Sequence, residues 1–260
     1  MSVVIVSFNR VESLRQSLQM LGDTHRIIVV DNGSRDGAEA LSDEFPAVRF
    51  SRLPKNFGLT KALNIGIRAR DDAYVLFLHE DVEITPQAIE LLRAELAQHN
   101  ETGAACPLLL DEAGNAAPQV RDLPSPGNPD PPLRPAKPGE APAVSGAAIM
   151  VRRFLLNALR KIDERYGNFG SDIELSMQVR RANKKIVIVD GATAIHHPEA
   201  PDRRAEFAAD RQLGAANFLG KHYGFPAKLK YMSGAILAAL FSFKLGRLRY
   251  LVSGRKIDGA

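Results

Sequence analysis

The chain has 260 residues and one cysteine, Cys106, so it has no intrachain disulfide framework and a reducing compartment, the cytoplasm, is expected. With 45% hydrophobic and 25% charged residues, the composition is that of a globular protein, and the length allows one large α/β domain or two small ones. The net charge of +4 allows a phosphate-bearing ligand or an anionic membrane surface but demands neither.

The first half of the chain alternates between predicted strands and predicted helices. Strands are predicted at VVIVSF, RIIVV, VRFSRL, YVLFL and GAACPLLL. Helices are predicted from the leucines at 14, 18 and 21, around Leu41 and Phe45, at 58–69, and from Thr85, the N-cap, to about Gln98. This alternation predicts a mostly parallel central sheet with helices on both faces.

A proline-rich segment, residues 111–143, interrupts this pattern. Nine of the sixteen prolines lie between Pro118 and Pro142. Loops of this length inside a domain are either functional lids or disordered, and both alternatives remain open. The apolar run at 144–151 resumes the core. A helix and then a helix–strand pair follow it, a last short strand is predicted at 192–197, and the remaining chain is predicted to be helical.

Five blocks of the sequence, taken in order, resemble family 2 glycosyltransferases of the GT-A fold, of the bacterial rhamnosyltransferase-like kind. The blocks are VVIVSFNR, VVDNGSRDG, LPKNFGLTKALNIGI, LFLHEDVEI and YGNFGSDIELSMQVRRANKKIVIVDGATAIHH. They span roughly residues 3–197. The resemblance implies a GT-A catalytic domain over 1–225 and leaves 226–260 as a helical tail.

The resemblance also implies a binding site for a nucleoside-diphosphate sugar. Its expected contacts are Ser7, Phe8, Asn9, Arg10, Asp31, Asn56, Gly58, Lys61 and Glu80. Ligands of open α/β sheets bind outside the carboxyl ends of the strands, which is where Asp31 is predicted to lie. Asp31 can accept hydrogen bonds from a base or a ribose, or it can form the turn that Asp-Asn-Gly favours. Gly58 permits close approach of a ligand to the backbone, or it simply begins a helix.

A divalent cation, Mn²⁺ or Mg²⁺, is the expected cofactor, because a nucleoside diphosphate leaves readily only when its developing charge is neutralised. In the resemblance, Asp81 stands at the family's D-x-D-type motif and His196 at a late metal-binding histidine. His79 stands where the family often has a first aspartate, and the lost negative charge either weakens metal binding or shifts the preference towards manganese-like ions. Adjacent strand residues point to opposite faces, so His197 is expected outside the site.

Asp172 matches the position of the family's catalytic base. A carboxylate near the acceptor hydroxyl can take its proton during the attack. The alternatives are that Asp172 or Ser171 caps a helix, and that Glu174 is the base.

The predicted function is inverting transfer of a hexosyl or deoxyhexosyl unit from a nucleoside-diphosphate sugar to a glycan or lipid-linked glycan, in bacterial surface polysaccharide synthesis. The alternative is a non-catalytic nucleotide-sugar binder or scaffold subunit with a degenerate metal motif. A dinucleotide oxidoreductase is excluded by the lack of G-x-G-x-x-G, and nucleic acid is not an expected partner, because the basic residues are not interleaved with aromatic ones.

The C-terminal stretch carries a separate signal. Residues 232–243 are mostly apolar, and seven basic residues and no acidic one lie between Lys228 and Lys256. This stretch is too short to span a bilayer, but it suits a helix at an anionic membrane surface. The alternative is a helix packed on the catalytic domain with a solvated basic flank.

Overall fold

The computed structural model describes residues 1–198 and 205–254. The strands are β1 Ser2–Ser7, β2 Arg26–Asp31, β3 Arg49–Arg52, β4 Tyr74–His79, β5 Val82–Ile84, β6 Thr102–Leu110, β7 Pro118–Arg121, β8 Arg134–Pro135, β9 Gly139–Glu140, β10 Ala143–Val144, β11 Ala148–Arg152 and β12 Lys185–His196. The helices are α1 Val11–Leu21, α2 Leu41–Glu44, α3 Leu59–Arg68, α4 Pro86–Gln98, α5 Arg153–Ala158, α6 Ser171–Arg181, α7 Ala205–Tyr223, α8 Phe225–Phe241 and α9 Leu245–Ser253.

One large sheet runs in the order β3-β2-β1-β4-β11-β6-β12-β5, and β9 pairs with β12 beside this path. The pairs β2–β3, β1–β2, β1–β4 and β6–β12 are parallel. β11 runs antiparallel between β4 and β6, and β5 is antiparallel to β12. The predicted α/β sheet is therefore present, with antiparallel strands added to its parallel half.

The apolar strand runs form the core, because both faces of the sheet are covered. All six residues of β1 are buried. On one face lie leucines and isoleucines of α1 and α4, among them Leu14, Leu18, Ile89, Leu92 and Leu96. On the other face lie residues of α3, α5 and α6, among them Ala62, Ile67, Leu155, Leu175 and Val179. Thr85 caps α4 as predicted, since its hydroxyl oxygen accepts a hydrogen bond from the Ala88 N–H at 3.2 Å.

The proline-rich segment is folded rather than disordered. β10, β7 and β8 form a small three-stranded sheet. The fully buried Gln119 fastens this segment to β6, because its amide nitrogen donates to the Pro107 carbonyl at 2.7 Å and its amide oxygen accepts from the Leu109 N–H at 3.1 Å. Motion of this segment as a lid stays a prediction.

Two predictions about strands were wrong. The segments predicted as separate strands around KKIVIV and at 192–197 form the single strand β12, whose pairing with β6 shifts register between Ile188 and Thr193. Gly191 has φ +75°, so the turn chemistry of Asp190 and Gly191 produces an irregularity inside a strand instead of an end. β5, three residues long, was not predicted at all.

The C-terminal helices pack on one another and also expose apolar surface. Their shared cluster contains Ala209, Leu213, Ala235, Ala239 and Leu251. Exposed apolar side chains on α8, α9 and the turn between them are Phe225, Leu229, Leu237, Leu240, Phe241, Phe243, Leu245, Tyr250 and Val252. The packed-helix alternative thus holds for one side of α8. In the described part of the chain, no helix has the length and apolar character needed to cross a bilayer. Arg255 and Lys256 of the basic stretch lie outside the described residues.

Glu174 joins α6 to α7 through a buried polar cluster. Its carboxylate accepts hydrogen bonds from the Tyr166 hydroxyl at 2.9 Å, the Gln178 amide at 2.6 Å and the Lys221 ammonium at 2.6 Å, and lies 2.8 Å from Nε2 of His222. Burial alone would raise the pKa of Glu174, but the hydrogen bonds from Lys221, His222 and Gln178 outweigh it and lower the pKa. This carboxylate is therefore a charged structural link.

We expect Glu174→Gln to lower the free energy of unfolding at pH 7 by about 2 kcal/mol, because Lys221 and Tyr166 lose a charged, buried acceptor. Urea denaturation measures this. The matched control Glu101→Gln changes an exposed glutamate and should stay within about 0.5 kcal/mol of wild type. Since the folded-state pKa of Glu174 is depressed, its contribution is present above the unfolded-state pKa of about 4.3 and is lost as the pH falls through the folded-state pKa. A variant as acid-sensitive as wild type would contradict this role.

Candidate active site

Strand pairing brings the ends of β4 and β12 together. β4 ends at His79, and Asp81 lies in the turn that leads into β5. β5 pairs with β12 so that Val82 faces His196, and the His197 N–H donates to the Asp81 carbonyl at 2.9 Å. Residues more than 110 positions apart in sequence therefore meet at one edge of the sheet.

His79, Asp81 and His196 form a cluster whose ligand atoms lie within 4.8 Å of one another. Nε2 of His196 is 3.6 Å and Nδ1 of His79 is 3.9 Å from Oδ1 of Asp81. This oxygen is buried and has no hydrogen-bond partner among the described residues. Burial lowers the pKa of His196, which favours the neutral imidazole that binds metals. An unsatisfied carboxylate oxygen facing two imidazoles fits a divalent cation.

Arg10 holds the other oxygen of the same carboxylate. Its Nη1 donates to Oδ2 of Asp81 at 3.1 Å, and its Nε lies 3.8 Å from Glu80. Burial raises the pKa of Glu80. Arg10 is a predicted substrate contact, and the structure places its guanidinium beside the candidate metal ligands Asp81 and His79. Contact of Arg10 or Glu80 with a nucleotide sugar stays a prediction.

His197 points away from the cluster, as expected. Its ring nitrogens lie 2.9 Å from a carboxylate oxygen of Glu112 and 3.2 Å from one of Glu83. The hydrogen bond to Glu112 raises the pKa of His197.

Asp172 faces the same space as His79, one of the three residues of the cluster. It lines a cavity of about 80 Å³ together with His79, Gly146 and Asn168, over a floor of apolar side chains such as Leu63. A methyl group added to Gly146 would lie 3.3 Å from Cβ of Asp172 and 4.0 Å from Nε2 of His79. The candidate base and the candidate metal ligand thus flank one short stretch of backbone.

The structure excludes the capping alternative considered for Asp172, whereas its role as base stays a prediction. The N-cap of α6 is Gly170, in a left-handed conformation with φ +96°, and it makes no side-chain cap. The capping role considered for Asp172 and Ser171 is therefore wrong. Asp172 lies in the first turn, where the helix dipole favours a negative charge, and its Oδ1 accepts from the Ile173 N–H at 2.8 Å. Glu174, the other candidate base, is engaged in the buried cluster with α7.

The predicted nucleotide contacts lie at the carboxyl ends of β1 and β2. Asp31 forms the predicted turn, since its Oδ1 accepts from the Ser34 N–H at 2.8 Å, and its other oxygen is 3.5 Å from Arg52. Asn9 links the two loops, because its N–H donates to the Ser34 hydroxyl at 3.0 Å and its side-chain oxygen accepts from the Arg35 N–H at 2.8 Å. Ser7 and Phe8 precede Asn9 at the same edge.

Asn56 and Gly58 shape the loop that enters α3. The Asn56 side-chain oxygen accepts from the Asn32 amide at 2.9 Å and from the Gly58 N–H at 2.8 Å. Gly58 has φ +85°, a conformation that favours glycine. The backbone conformation alone therefore accounts for a glycine at this position, and no ligand is needed to explain it. Lys61 lies over the Phe57 ring, with Nζ 4.7 Å from the centroid. Whether these residues contact a donor stays a prediction.

Comparison with known proteins now bears on this site. A sequence model of the family described as "Glycosyl transferase family 2" matches residues 2–160. The chain belongs to this family. It is 29% identical over 202 residues to the N-acetylglucosaminyl-diphospho-decaprenol L-rhamnosyltransferase of Mycobacterium tuberculosis, a match that covers 66% of each chain. It is also 27% identical over 197 residues to the O-antigen biosynthesis protein RfbC of Myxococcus xanthus, covering 69% of this chain and 15% of that protein.

Solved structures establish the fold of this family 2 member. The mannosyltransferase PcManGT of Pyrobaculum calidifontis, in complex with GDP-Man and Mn²⁺, has a TM-score of 0.61 at 13% identity, covering 97% of this chain and 85% of that one. GalNAc-T7, with UDP, GalNAc and Mn²⁺, has a TM-score of 0.66 at 17% identity, covering 97% and 55%. TarS of S. aureus has a TM-score of 0.60 at 16% identity, covering 84% and 65%. The predicted GT-A fold is confirmed.

Sequence reasoning missed two residues of this family 2 site. Gly146 was read only as part of a core strand, and Asn168 only as part of a motif block, yet both line the cavity beside Asp172. The sequence feature that could have identified Gly146 is its position just before the buried strand β11, after the proline-rich segment. Such a glycine marks a close approach only once the opposing side chains are placed.

Asp81→Asn keeps the shape of the side chain and removes the charge that a hard cation requires, so we expect loss of Mn²⁺-dependent binding of a nucleoside diphosphate. His79→Gln should retain part of that binding, because Asp81 and His196 remain. His197→Gln is the matched control and should bind as wild type does. Titration calorimetry with and without Mn²⁺ measures all three. Unchanged Mn²⁺-dependent binding in Asp81→Asn would rule out this cluster as the metal site.

Proposed function

We propose that the protein is an inverting glycosyltransferase that moves a hexosyl or deoxyhexosyl unit from a nucleoside-diphosphate sugar to a hydroxyl group of a lipid-linked glycan, in bacterial surface polysaccharide synthesis. The observation that carries this proposal is that Asp172 and His79 line one cavity on either side of Gly146, and that His79 forms a cluster with Asp81 and His196. A leaving diphosphate and an attacking hydroxyl need these two kinds of group on opposite sides of the transferred sugar.

His79, Asp81 and His196 would hold the divalent cation. When bound, a cation supplies charge neutralisation to the departing diphosphate. The mixture of two imidazoles and one carboxylate favours Mn²⁺ over Mg²⁺, since Mg²⁺ takes oxygen ligands almost exclusively. Arg10 orients the Asp81 carboxylate by holding its second oxygen.

Asp172 is the proposed base. As the acceptor hydroxyl attacks the anomeric carbon, its proton passes to the Asp172 carboxylate, the new C–O bond forms, and the bond to the diphosphate breaks. One displacement inverts the anomeric configuration, through a transition state with oxocarbenium character. The hydrogen bond from the Ile173 N–H fixes one carboxylate oxygen and leaves the other for the acceptor.

The acceptor class rests on relatives. The mycobacterial relative is named for a sugar-diphosphate-decaprenol acceptor, and RfbC for O-antigen synthesis. The matched region covers 66% of the mycobacterial chain, so the activity of the whole relative is carried to this chain only as a proposal.

Asp172→Asn separates the proposed transferase from a non-catalytic nucleotide-sugar binder. Removing the proton acceptor should lower the transfer rate by roughly 10²-fold or more while donor affinity persists. A screen of donors with detection of released nucleoside diphosphate and of glycosylated acceptor measures the rate, and calorimetry measures the affinity. Arg181→Gln, which alters an exposed residue at the C-terminal end of α6, is the fold control. A wild-type protein that binds donors without ever transferring a sugar would support the binder.

We also propose that residues 226–260 form a tail that binds an anionic membrane peripherally, next to a catalytic domain over 1–225. The described part of the tail has five basic residues and no acidic one, and the exposed apolar side chains of α8, α9 and their connecting turn lie among these basic residues in sequence. Phe243 is 86% exposed. Apolar burial together with attraction of basic residues to anionic lipid is the usual basis of such binding.

Point substitutions test the membrane proposal better than truncation, because one side of α8 packs on α7. The double variant Phe243→Glu, Leu245→Glu should lose sedimentation with anionic vesicles without changing the melting temperature. Phe154→Glu alters an exposed apolar residue on α5 and is the matched control. Wild-type binding should weaken as salt rises, since each basic residue contributes on the order of 1 kcal/mol. A wild-type protein that ignores anionic vesicles would contradict the proposal.

A further inference from the structure

A second cavity, of about 190 Å³, lies on another side of Asp172. Its walls come from the proline-rich segment 111–143 and from α6 and α7, and they include Arg121, Phe169 and Arg211. Asp172 also borders the cavity that contains His79. A base that takes a proton from the acceptor must touch the acceptor. With the donor sugar assigned to the side of Asp172 where His79 lies, the second cavity is left for the acceptor.

The second cavity contains an arginine that is incompletely paired. Its ionisable lining groups are Arg121, Asp130, Asp172 and Arg211. Arg211 engages Asp130 through two nitrogens, at 2.8 Å and 3.2 Å, whereas Nη1 of Arg121 is 3.6 Å from Asp130. Nε of Arg121 is buried and has no hydrogen-bond partner among the described residues, and the Arg121 side chain is only 12% exposed.

The buried, incompletely paired guanidinium of Arg121 is suited to binding an anion. Removing a guanidinium from water costs free energy unless a partner satisfies its donors, and the nearest carboxylate is already held by Arg211. The planar fork of arginine matches the oxygens of a phosphate group. Phe169 adds an apolar wall to the same cavity.

The second cavity also adjoins the proposed membrane-binding helices. Arg211 belongs to α7, and α9 is tied to α7 by a hydrogen bond from Nε of Arg247 to the Gln212 side chain at 2.9 Å. α8 packs against α7 as well. A ligand with a sugar, a phosphate group and a lipid could therefore reach from Asp172 past Arg121 towards these helices.

We propose that Arg121 binds the diphosphate of a lipid-diphosphate-linked sugar acceptor and positions its sugar hydroxyl at Asp172. This inference rests on the proposed transferase function and adds the residue that recognises the acceptor. Asp130 and Arg211 hold the site in shape, and the proline-rich segment supplies the recognising arginine.

The test compares two acceptors that carry the same sugar and the same short alkyl chain, one joined by a diphosphate and the other by a single glycosidic oxygen. Arg121→Gln should raise KM for the diphosphate acceptor at least tenfold and leave kcat and KM for the phosphate-free acceptor within twofold. Arg121→Lys keeps the charge without the fork and should give an intermediate KM. Arg134→Gln, an exposed arginine of the same segment, is the matched control and should behave as wild type.

A binding measurement keeps the outcomes distinct. With the donor site filled by nucleoside diphosphate and Mn²⁺, calorimetry should detect the diphosphate acceptor on wild type and a weakening of at least tenfold in Arg121→Gln. If Arg121→Gln weakens binding of both acceptors equally, or of neither, the result contradicts recognition of the diphosphate by Arg121 and leaves the proposed transferase function intact. If wild type transfers no sugar at all, the proposed function falls, and the binding result still decides whether Arg121 recognises the diphosphate. Should Arg121→Gln fail to fold, Arg121→Lys gives the same comparison.

Discussion

The carboxylate of Asp81 is the group on which the candidate active site depends. One of its oxygens is held by Arg10, and the other is buried beside His79 and His196 without a hydrogen-bond partner among the described residues. A buried, unsatisfied carboxylate oxygen costs about 1–3 kcal/mol or more, so such a feature persists where it serves a purpose. A cation bound between Asp81 and the two histidines would remove that cost. The pairing of β5 with β12 brings the turn at Asp81 against His196.

Asp172 faces this cluster from a helix whose position is fixed elsewhere. Glu174 anchors α6, because its carboxylate contacts Tyr166, Lys221 and His222. Two carboxylates in the first turn of one helix thus have different environments and different tasks. Glu174 ties the catalytic half to the C-terminal helices, and Asp172 remains at the junction of two cavities. Glu174 is therefore one of the buried links between α7 and the helix that carries the candidate base.

The parts of the fold that depend on local pattern could be predicted from the sequence. Continuous apolar runs such as VVIVSF indicate strands buried on both faces, and Thr85 with Pro86 indicates the start of α4. The candidate metal ligands could be predicted because His79 and His196 end strands and Asp81 closely follows one, and because Asp81 and His196 match family motifs. The order of strands around β11, which inserts antiparallel into the sheet, is set by contacts distant in sequence.

The remaining features depend on which surfaces meet. β5 is too short to carry a periodic signal and forms only because β12 is beside it. Gly146 belongs to the candidate site because Asp172 and His79 approach it closely. Arg121 is incompletely paired because Asp130 is already engaged by Arg211. No local pattern encodes an unsatisfied donor. The composition of the proline-rich segment suggests a loop. The buried Gln119 nevertheless fixes the segment to β6, so that it forms one side of the second cavity.

In the proposed reaction, a single displacement takes place between Asp172 and the candidate metal ligands His79, Asp81 and His196. The anomeric configuration of the product, read by proton NMR from its one-bond and vicinal couplings, tests that claim most directly. With the donor that wild type accepts, we predict a product whose anomeric configuration is opposite to that of the donor. A product that retains the donor configuration would contradict the single-displacement mechanism and the role assigned to Asp172.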